Sequence, residues 1–393
     1  MKMTPSAMFS SHYLPDAVAL LLVFLVQTAA AFLYLRAPAR QNNPTAQRTV
    51  TGGWLVSIGV VGVGFLFRFR HVENLFPHTL SSWVHGLAIM WAFFSVLLIG
   101  AWAVSFLLPK PSPKYSPARR AFLQTANAAV LALPAAVTGY GVFVQRFRLT
   151  LREQDIWISS LPADLHGLRI AQLTDIHLSP FLSVRELEQA VEMANETRPQ
   201  IALITGDLIT TAADPLDSCL SVLSRLKADA GIYGCMGNHE IVAASEAETQ
   251  RRGASLGMRF LRHQAAVLKF GDARLNLAGV DYQRQSRRYL PRADRLVVPG
   301  AFNVLMSHNP DVFPVAVAKG FPLTIGGHTH GGQVRMEILG QDLNVARFFT
   351  PYVDGLYRLG EAAIFVSRGI GTIALPARLG APPEVALLRL CRT

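Results

Sequence analysis

The stretch Leu168-Arg169-Ile170-Ala171-Gln172-Leu173-Thr174-Asp175-Ile176-His177 decides how the chain is read. Its first six residues form a short, mostly apolar run that reads as a buried strand. The run ends at Asp175, with His177 two residues on. The same event recurs four times downstream. Ile201-Ala202-Leu203-Ile204 leads into Gly206-Asp207, and Gly231-Ile232-Tyr233-Gly234-Cys235-Met236 leads into Gly237-Asn238-His239-Glu240. Asn303–Met306 leads into Ser307-His308-Asn309, and Leu323–Ile325 into Gly326-Gly327-His328-Thr329-His330. Helical stretches lie between the early strands. Ser183 to Asn195 carries Ser183 as N-cap with Glu186 three residues on. Pro215 to Lys227 follows, and Ser245 with Glu248 opens another capped helix. Strands then dominate, with Ala266–Phe270, Arg274–Val280 and Ala363–Ser367. Strand–helix alternation followed by strands predicts layered α/β packing. Residues at the C-terminal ends of adjacent strands converge on one crevice.

Asp175, His177, Asp207, Asn238, His308, His328 and His330 are oxygen and nitrogen donors without cysteine. That set suits Mn, Fe, Co or Zn. Seven ligands are too many for one ion and right for two, if one carboxylate bridges. Two ions roughly 3.5–4 Å apart form a clamp for in-line attack on phosphorus. Asp and Gly are also ordinary turn formers at strand ends, so one block alone says little. Five of the eleven histidines, however, fall within the blocks. Glu240 and Thr329 read as supports for neighbouring backbone rather than as ligands.

The ordered set Asp-x-His, Gly-Asp, Gly-Asn-His-Glu, His and Gly-His-x-His resembles the signature of the calcineurin-like metallophosphoesterases. It covers about residues 165–393. Ser307 to Asp311, Gly326 to Val334, and Ser367-Arg368-Gly369-Ile370-Gly371 through Pro383-Glu384 are similar to the membrane-associated branch related to the YkuE and YaeI phosphodiesterases. The resemblance implies an α/β/β/α sandwich and two divalent metal ions, with Mn favoured. It implies that Asp175, His177, Asp207 and His330 hold the first ion. Asp207, Asn238, His308 and His328 would hold the second, with Asp207 bridging. It implies that His239 is catalytic, binding no metal and standing beside the leaving group. Thr210 departs from the pattern, in a position where relatives often carry an acidic or polar residue.

The chain has 393 residues, room for two domains. Charge is divided unevenly. Residues 1–150 hold 12 Lys or Arg against only Asp16 and Glu73, a net of +10, which leaves +1 for residues 151–393. A nucleic-acid-binding domain would carry its basic footprint itself. Here the excess flanks apolar runs, which reads as membrane topology, so no nucleic-acid partner is expected. The three cysteines are scattered and odd in number, offering no disulfide framework and no zinc spacing.

Four apolar stretches, about 14–35, 53–69, 87–108 and 121–144, predict a bundle of about four transmembrane helices. A span needs about 20 apolar residues, and the second stretch reaches that length only if Arg68 and Arg70 snorkel. Trp83 and Trp91 read as an interfacial belt. The Pro-rich segment from Pro109 to Lys114 separates the third and fourth spans, and residues 151–164 read as a linker. The two topologies place seven or six basic residues inside, which decides little. Arg119-Arg120-Ala121-Phe122-Leu123-Gln124 resembles a twin-arginine export signal, and equally reads as two arginines flanking a span. It favours a catalytic domain on the exported side of an inner, multi-pass membrane protein.

The expected activity is hydrolysis of a phosphodiester or pyrophosphate bond in a phosphate ester, which a membrane anchor suits if the ester is lipid-linked. Relatives that cleave the pyrophosphate of UDP-2,3-diacylglucosamine give the sharpest substrate expectation, which requires a cytoplasmic site. The alternatives are a nucleotide or nucleic-acid phosphodiesterase, and a membrane sensor or transporter with a regulatory phosphoesterase-like domain. Arg284, Arg287, Arg288, Arg292 and Arg295, around Tyr282 and Tyr289, read as a solvated loop face or as an anion clamp. Arg368 and Arg378, within glycine-rich turns near the end, could also reach the crevice, which the sequence alone leaves open.

Overall fold

The computed structural model describes residues 5–36, 43–67, 75–284, 289–338 and 341–393. It divides into two compact units, residues 1–140 with 374–376, and residues 141–373 with 377–393.

The first unit is helical, with α1 (Pro5–Leu35), α2 (Pro44–Leu66), α3 (His78–Ser105) and the start of α4 (Pro117–Phe143). Three helices are long and apolar enough to cross a membrane: Pro44–Leu66, His78–Ser105 and Pro117–Phe147. In α1 the apolar run among the described side chains is shorter, Leu20–Leu35. The second expected stretch gains its length at the other end. Asn43 caps α2 by accepting from Ala46 N, and Pro44 supplies the preset φ of a first helical turn. The helix therefore starts nine residues before Gly53, and Arg68 and Arg70 lie outside the described residues. Small residues let α2 and α3 approach closely, for a Cβ on Gly64 would fall on the Ala88 side chain. A polar chain ties α1, α2 and α3. Trp91 Nε1 donates to Ser57 Oγ (2.8 Å), Ser57 to Gln27 Oε1 (3.1 Å), and Gln27 Nε2 to Ser95 Oγ (2.7 Å). Lipid offers such groups no partners, so each must be satisfied within the bundle. Trp91, expected in an interfacial belt, thus points its polar end into the packing. His85 Nδ1 lies 3.0 Å from Gly64 O.

The second unit is a sandwich of two mixed sheets. One runs β1 (Thr150–Ile158), β14 (Glu384–Arg392), β2 (Arg169–Leu173), β3 (Ile201–Ile204), β4 (Ile232–Gly234), β5 (Met258–Phe260). The other runs β12 (Gly355–Leu359), β13 (Ala362–Val366), β9 (Leu323–Gly326), β8 (Phe302–Met306), β7 (Ala273–Gly279), β6 (Gln264–Phe270). A separate ribbon pairs β10 (Arg335–Ile338) with β11 (Gln341–Asn344). Strands β2 to β5 are parallel, as are β7, β8, β9 and β13. Both faces of such strands are covered, which explains their unbroken apolar runs. Ile170, Leu203, Val304, Ile325 and Phe365 meet between the sheets in the main core. Outside the first sheet, Leu187 and Val191 of α5 (Val184–Glu196) and Leu220 of α6 (Leu216–Leu223) pack on Ala171 and Ile204. Outside the second, Val312 and Ala316 pack on Leu305 and Ala278. These are the four layers of an α/β/β/α sandwich.

Several boundaries differ from expectation. Residues 151–158 of the expected 151–164 linker lie in β1, paired in parallel with β14 from Thr150↔Glu384 to Ile158↔Arg392. Helix α6 stops at Leu223, four residues short of Lys227. The capping box of Ser183 and Glu186 is present. Ser245 starts α7 (Glu246–Ser255) without a side-chain cap; its hydroxyl turns to Glu240 O instead (3.4 Å).

Candidate metal centre

Five loops leave the C-terminal ends of β2, β3, β4, β8 and β9 and meet where the two sheets come together. Gln172, fully buried, fastens the sheets just below. Its Nε2 donates to Thr205 Oγ1 after β3 (2.7 Å) and to Gly326 O of β9 (2.8 Å). The loops need close approach. A Cβ on Gly237 would strike Asp207 Oδ1, and one on Gly327 would strike Asp175 Oδ2 and Thr174 Oγ1. Asp175, His177, Asp207, His328 and His330 all hold positive φ, from 46° to 76°. Non-glycine residues adopt that conformation at a cost and concentrate at functional sites.

The predicted ligands converge. Donor atoms of Asp175, His177 and His330 lie within 4.8 Å of one another, as do those of Asp207, His308 and His328. His177 and Asp207 also group with His239. His330 Nε2 is 3.4 Å from Asp175 Oδ1, His177 Nε2 is 3.5 Å from Asp207 Oδ2, and His308 Nε2 is 3.0 Å from the same oxygen. Among the described residues, His177 Nε2, His308 Nε2 and Asn238 Oδ1 are buried with no hydrogen-bond partner, the two ring nitrogens meeting Asp207 only as charge contacts. Burying such groups unpaired is costly, which gives them a reason to meet an ion. The donor set and these three unpartnered atoms fit two divalent ions, with Asp207 between the two groups.

The opposite edges of the rings are held. His308 Nδ1 lies 2.7 Å from Thr205 O, and His177 Nδ1 3.1 Å from Thr210 Oγ1. A carbonyl only accepts, so Nδ1 of His308 carries a hydrogen, and Nε2 is the nitrogen left to ligate once it gives up its own proton. Thr210, the departure from the family pattern, also receives His239 Nδ1 on its carbonyl at 2.7 Å. The carboxylates are oriented by backbone. His328 N donates to Asp175 (3.0 Å), and His239 N to Asp207 Oδ1 (2.8 Å). Glu240 is buried and accepts from Gly237 N, Leu208 N and Asp207 N at 2.7, 2.8 and 2.9 Å. It ties the β3 loop to the β4 loop. The Thr329 hydroxyl donates to Val353 O.

Electrostatics follow from burial without ions. Burial alone would lower the pKa of His308, but the charges of Asp207 and Asp175 override it and push it up to about 10. His328 is pushed down to about 3 by burial and by His308. Burial and His239 hold His177 well below its usual range. Burial raises Asp175. Asp207, despite burial, is held low by His308 and His239.

Of the two arginines that could reach the crevice, Arg368 turns away to Glu384, whereas Arg378 lies behind a candidate ligand, its Nη2 3.4 Å from His330 Nδ1. Arg368 Nε bonds Glu384 Oε2 at 2.6 Å. Arg378 is fully buried, its guanidinium donating to the carbonyls of Gly371, Ala381, Arg368 and Gly369. Burial brings its pKa down to about 10. Of the loop cluster, Arg292 and Arg295 are exposed, Arg284 is half-buried, and Arg287 and Arg288 lie outside the described residues. Tyr282, read only as part of that cluster, has its hydroxyl 3.3 Å from His328 Nε2. Neither Tyr282 nor Gln172 stands out in sequence, for each is an ordinary residue in or beside a strand.

Comparison with known proteins agrees with this geometry. The family model of calcineurin-like phosphoesterases matches residues 168–332. The metallophosphoesterase YkuE of Bacillus subtilis (strain 168) is 27% identical over 266 residues, 65% of this chain and 90% of that protein. A transmembrane protein with metallophosphoesterase domain from Danio rerio is 29% identical over 280 residues, 67% of this chain and 62% of that protein. Phosphodiesterase YaeI of Escherichia coli (strain K12) is 30% identical over 233 residues, 56% of this chain and 82% of that protein. On that evidence the chain belongs to the calcineurin-like metallophosphoesterases and is a metal-dependent hydrolase with helices fit to span a membrane.

Proposed function

We propose that this chain is a membrane-anchored phosphoesterase that hydrolyses a phosphodiester or pyrophosphate bond of a lipid-linked substrate, using two divalent ions, with Mn favoured. The observation that carries it is the pair of buried ring nitrogens His177 Nε2 and His308 Nε2 beside Asp207, with Asp175, His328 and His330 grouped around them and Asn238 Oδ1 buried without a hydrogen-bond partner among the described residues. In the assignment offered here, Asp175, His177, Asp207 and His330 hold the first ion, and Asp207, Asn238, His308 and His328 the second. When bound, the ions neutralise the phosphoryl charge and lower the pKa of water toward about 7. The protein's own part is to place and protonate. Thr205 O and Thr210 Oγ1 hold the Nδ1 edges of His308 and His177, which leaves Nε2 of each ring as the nitrogen that would hold an ion. His239 is placed by its backbone bond to Asp207 and its Nδ1 bond to Thr210 O. The proton it can give a leaving oxygen is therefore the one on Nε2.

Within this reading, UDP-2,3-diacylglucosamine is the sharpest substrate candidate, cleaved at its pyrophosphate to release UMP. The near-neutral charge of residues 151–393 counts against polynucleotides, whose binding is driven by basic surface. The test is hydrolysis of bis-p-nitrophenyl phosphate by the full-length protein in detergent, with Mn²⁺ or EDTA, beside Asp207→Asn. Metal-dependent release that disappears in the variant is expected. Release that is indifferent to EDTA, or equal in the variant, would defeat the binuclear reading.

A further inference from the structure

Next to the His328–His330 loop the second unit carries a short segment with an unusual surface. Leu343, Val345, Phe348 and Phe349 are 53, 63, 88 and 74% exposed. Isolated apolar residues on a surface need no explanation, but four within seven residues form a patch. Residues 343–349 contain no acidic side chain and one cation, Arg347.

The backbone beneath this patch is firmly held. Asn344 is buried; its Nδ2 donates to Gly331 O (3.1 Å) and its Oδ1 accepts from Ala346 N (3.0 Å), opening a 3-10 turn over Val345–Phe348. Thr350 Oγ1 donates to Asp311 Oδ1 (2.5 Å), three residues beyond His308. The Thr329 hydroxyl reaches Val353 O. Both ends of the segment are thus tied to loops that carry candidate ligands, and its aromatic side chains are left facing outward by a built frame.

We infer that Leu343–Phe349 is a wedge that enters the lipid surface beside the metal centre and admits phosphate-bearing lipid headgroups to it. Three observations favour lipid over a protein partner. The same chain carries helices that are long and apolar enough to span a bilayer. Only six residues separate the end of α4 at Phe143 from the start of β1 at Thr150, a reach of about 20 Å fully extended, so the domain stays at a membrane surface. Phenylalanines beside an arginine, with no acid within Leu343–Phe349 and Asp342 just before its start, match the boundary between acyl chains and anionic headgroups. The docking itself does not depend on the catalytic assignment; only the delivery of substrate rests on the phosphoesterase reading.

The test uses the full-length protein, Mn²⁺-loaded, in nanodiscs of phosphatidylcholine with phosphatidylglycerol. The native cysteines are buried, so Val345→Cys accepts an environment-sensitive thiol dye selectively. A blue-shifted emission that brominated lipid quenches, and aqueous iodide does not, is expected. Emission typical of water, quenched by iodide, overturns the inference. So does a blue shift that brominated lipid leaves untouched, which would mean a protein covers the patch. In the same discs, Phe348→Ser/Phe349→Ser should lose about tenfold or more in hydrolysis of a fluorescent phosphodiester lipid, since two large apolar side chains no longer enter the lipid. Its turnover of bis-p-nitrophenyl phosphate should be unchanged. Equal effects on both substrates, or on neither, overturn delivery by the wedge. A dye seated in lipid on the Val345→Cys protein, together with a wild-type protein that hydrolyses neither substrate, would leave the docking standing and refute the proposed function instead.

Discussion

His239 and His308 both group with Asp207 and answer to different physics. His239 is half-buried and held by Thr210 O, with no carboxylate pairing its ring by a hydrogen bond. His239→Ala should therefore keep both ions, measured by metal analysis of the purified protein, and lower turnover by about 10²–10⁴. A variant that purifies without metal would make His239 a ligand. His308 is buried between Asp207 and Asp175, with its pKa up to about 10. In the metal-free protein at pH 7 it is protonated, and Nε2 must shed that proton to ligate. Metal uptake by EDTA-stripped protein should release a proton and tighten as pH rises from 6 to 8, by titration calorimetry in buffers of different ionisation heat. The same raised pKa means that the His308–Asp207 pair stabilises the metal-free fold fully below about pH 6.5 and fades as pH climbs through about 10. At this scale the sequence was legible wherever chemistry needs a particular residue type. Asp175, Asp207 and the five histidines stand out because few other roles ask for them in that order. Tyr282 and Gln172 were not legible, since their contacts come from β9 and its following loop, 46 and 154 residues away.

Among the elements, the strands that carry ligands were the easiest to read. β2, β3, β8 and β9 are covered on both faces and so are written as unbroken apolar runs. β1 is different. It is an edge strand whose residues Arg152, Glu153, Gln154 and Asp155 face partly outward, and its partner β14 lies more than 230 residues along the chain. A polar, alternating segment with a distant partner looks like a linker until the partner is known. The C-terminal loop after β13 was equally opaque, because its anchor is a buried charge. Arg378 satisfies carbonyls of Arg368, Gly369, Gly371 and Ala381, and its Nη2 lies 3.4 Å from His330 Nδ1. Removing it would strand several buried acceptors at about 1–3 kcal/mol each. Arg378→Met should lower the thermal midpoint even in EDTA, where metal loss contributes nothing. The loaded protein should also lose metal from the group containing His330. An unchanged midpoint in EDTA would mean that water can take over those carbonyls.

Across the whole molecule, charge and chemistry are kept apart. The net +10 of residues 1–150 belongs to the ends of apolar helices, and residues 151–393, which hold all the candidate ligands, are near neutral. The basic residues therefore bear on topology rather than on substrate. Arg119 and Arg120 lie in the first turn of α4, which leads directly into the catalytic unit. If they act as an export signal, alkaline phosphatase fused after Thr393 should be active in cells and green fluorescent protein at the same point should be dark. Arg119→Lys/Arg120→Lys should then lower the phosphatase signal, because an export signal depends on the arginine pair whereas charge flanking a span is preserved by lysine. The substrate follows from the same result. An exported centre faces cell-wall and phospholipid-derived phosphates and is cut off from nucleotide-linked lipid precursors made inside. A bright fluorescent fusion with inactive phosphatase would place the centre in the cytoplasm, remove the export reading, and make UDP-2,3-diacylglucosamine the first lipid to assay.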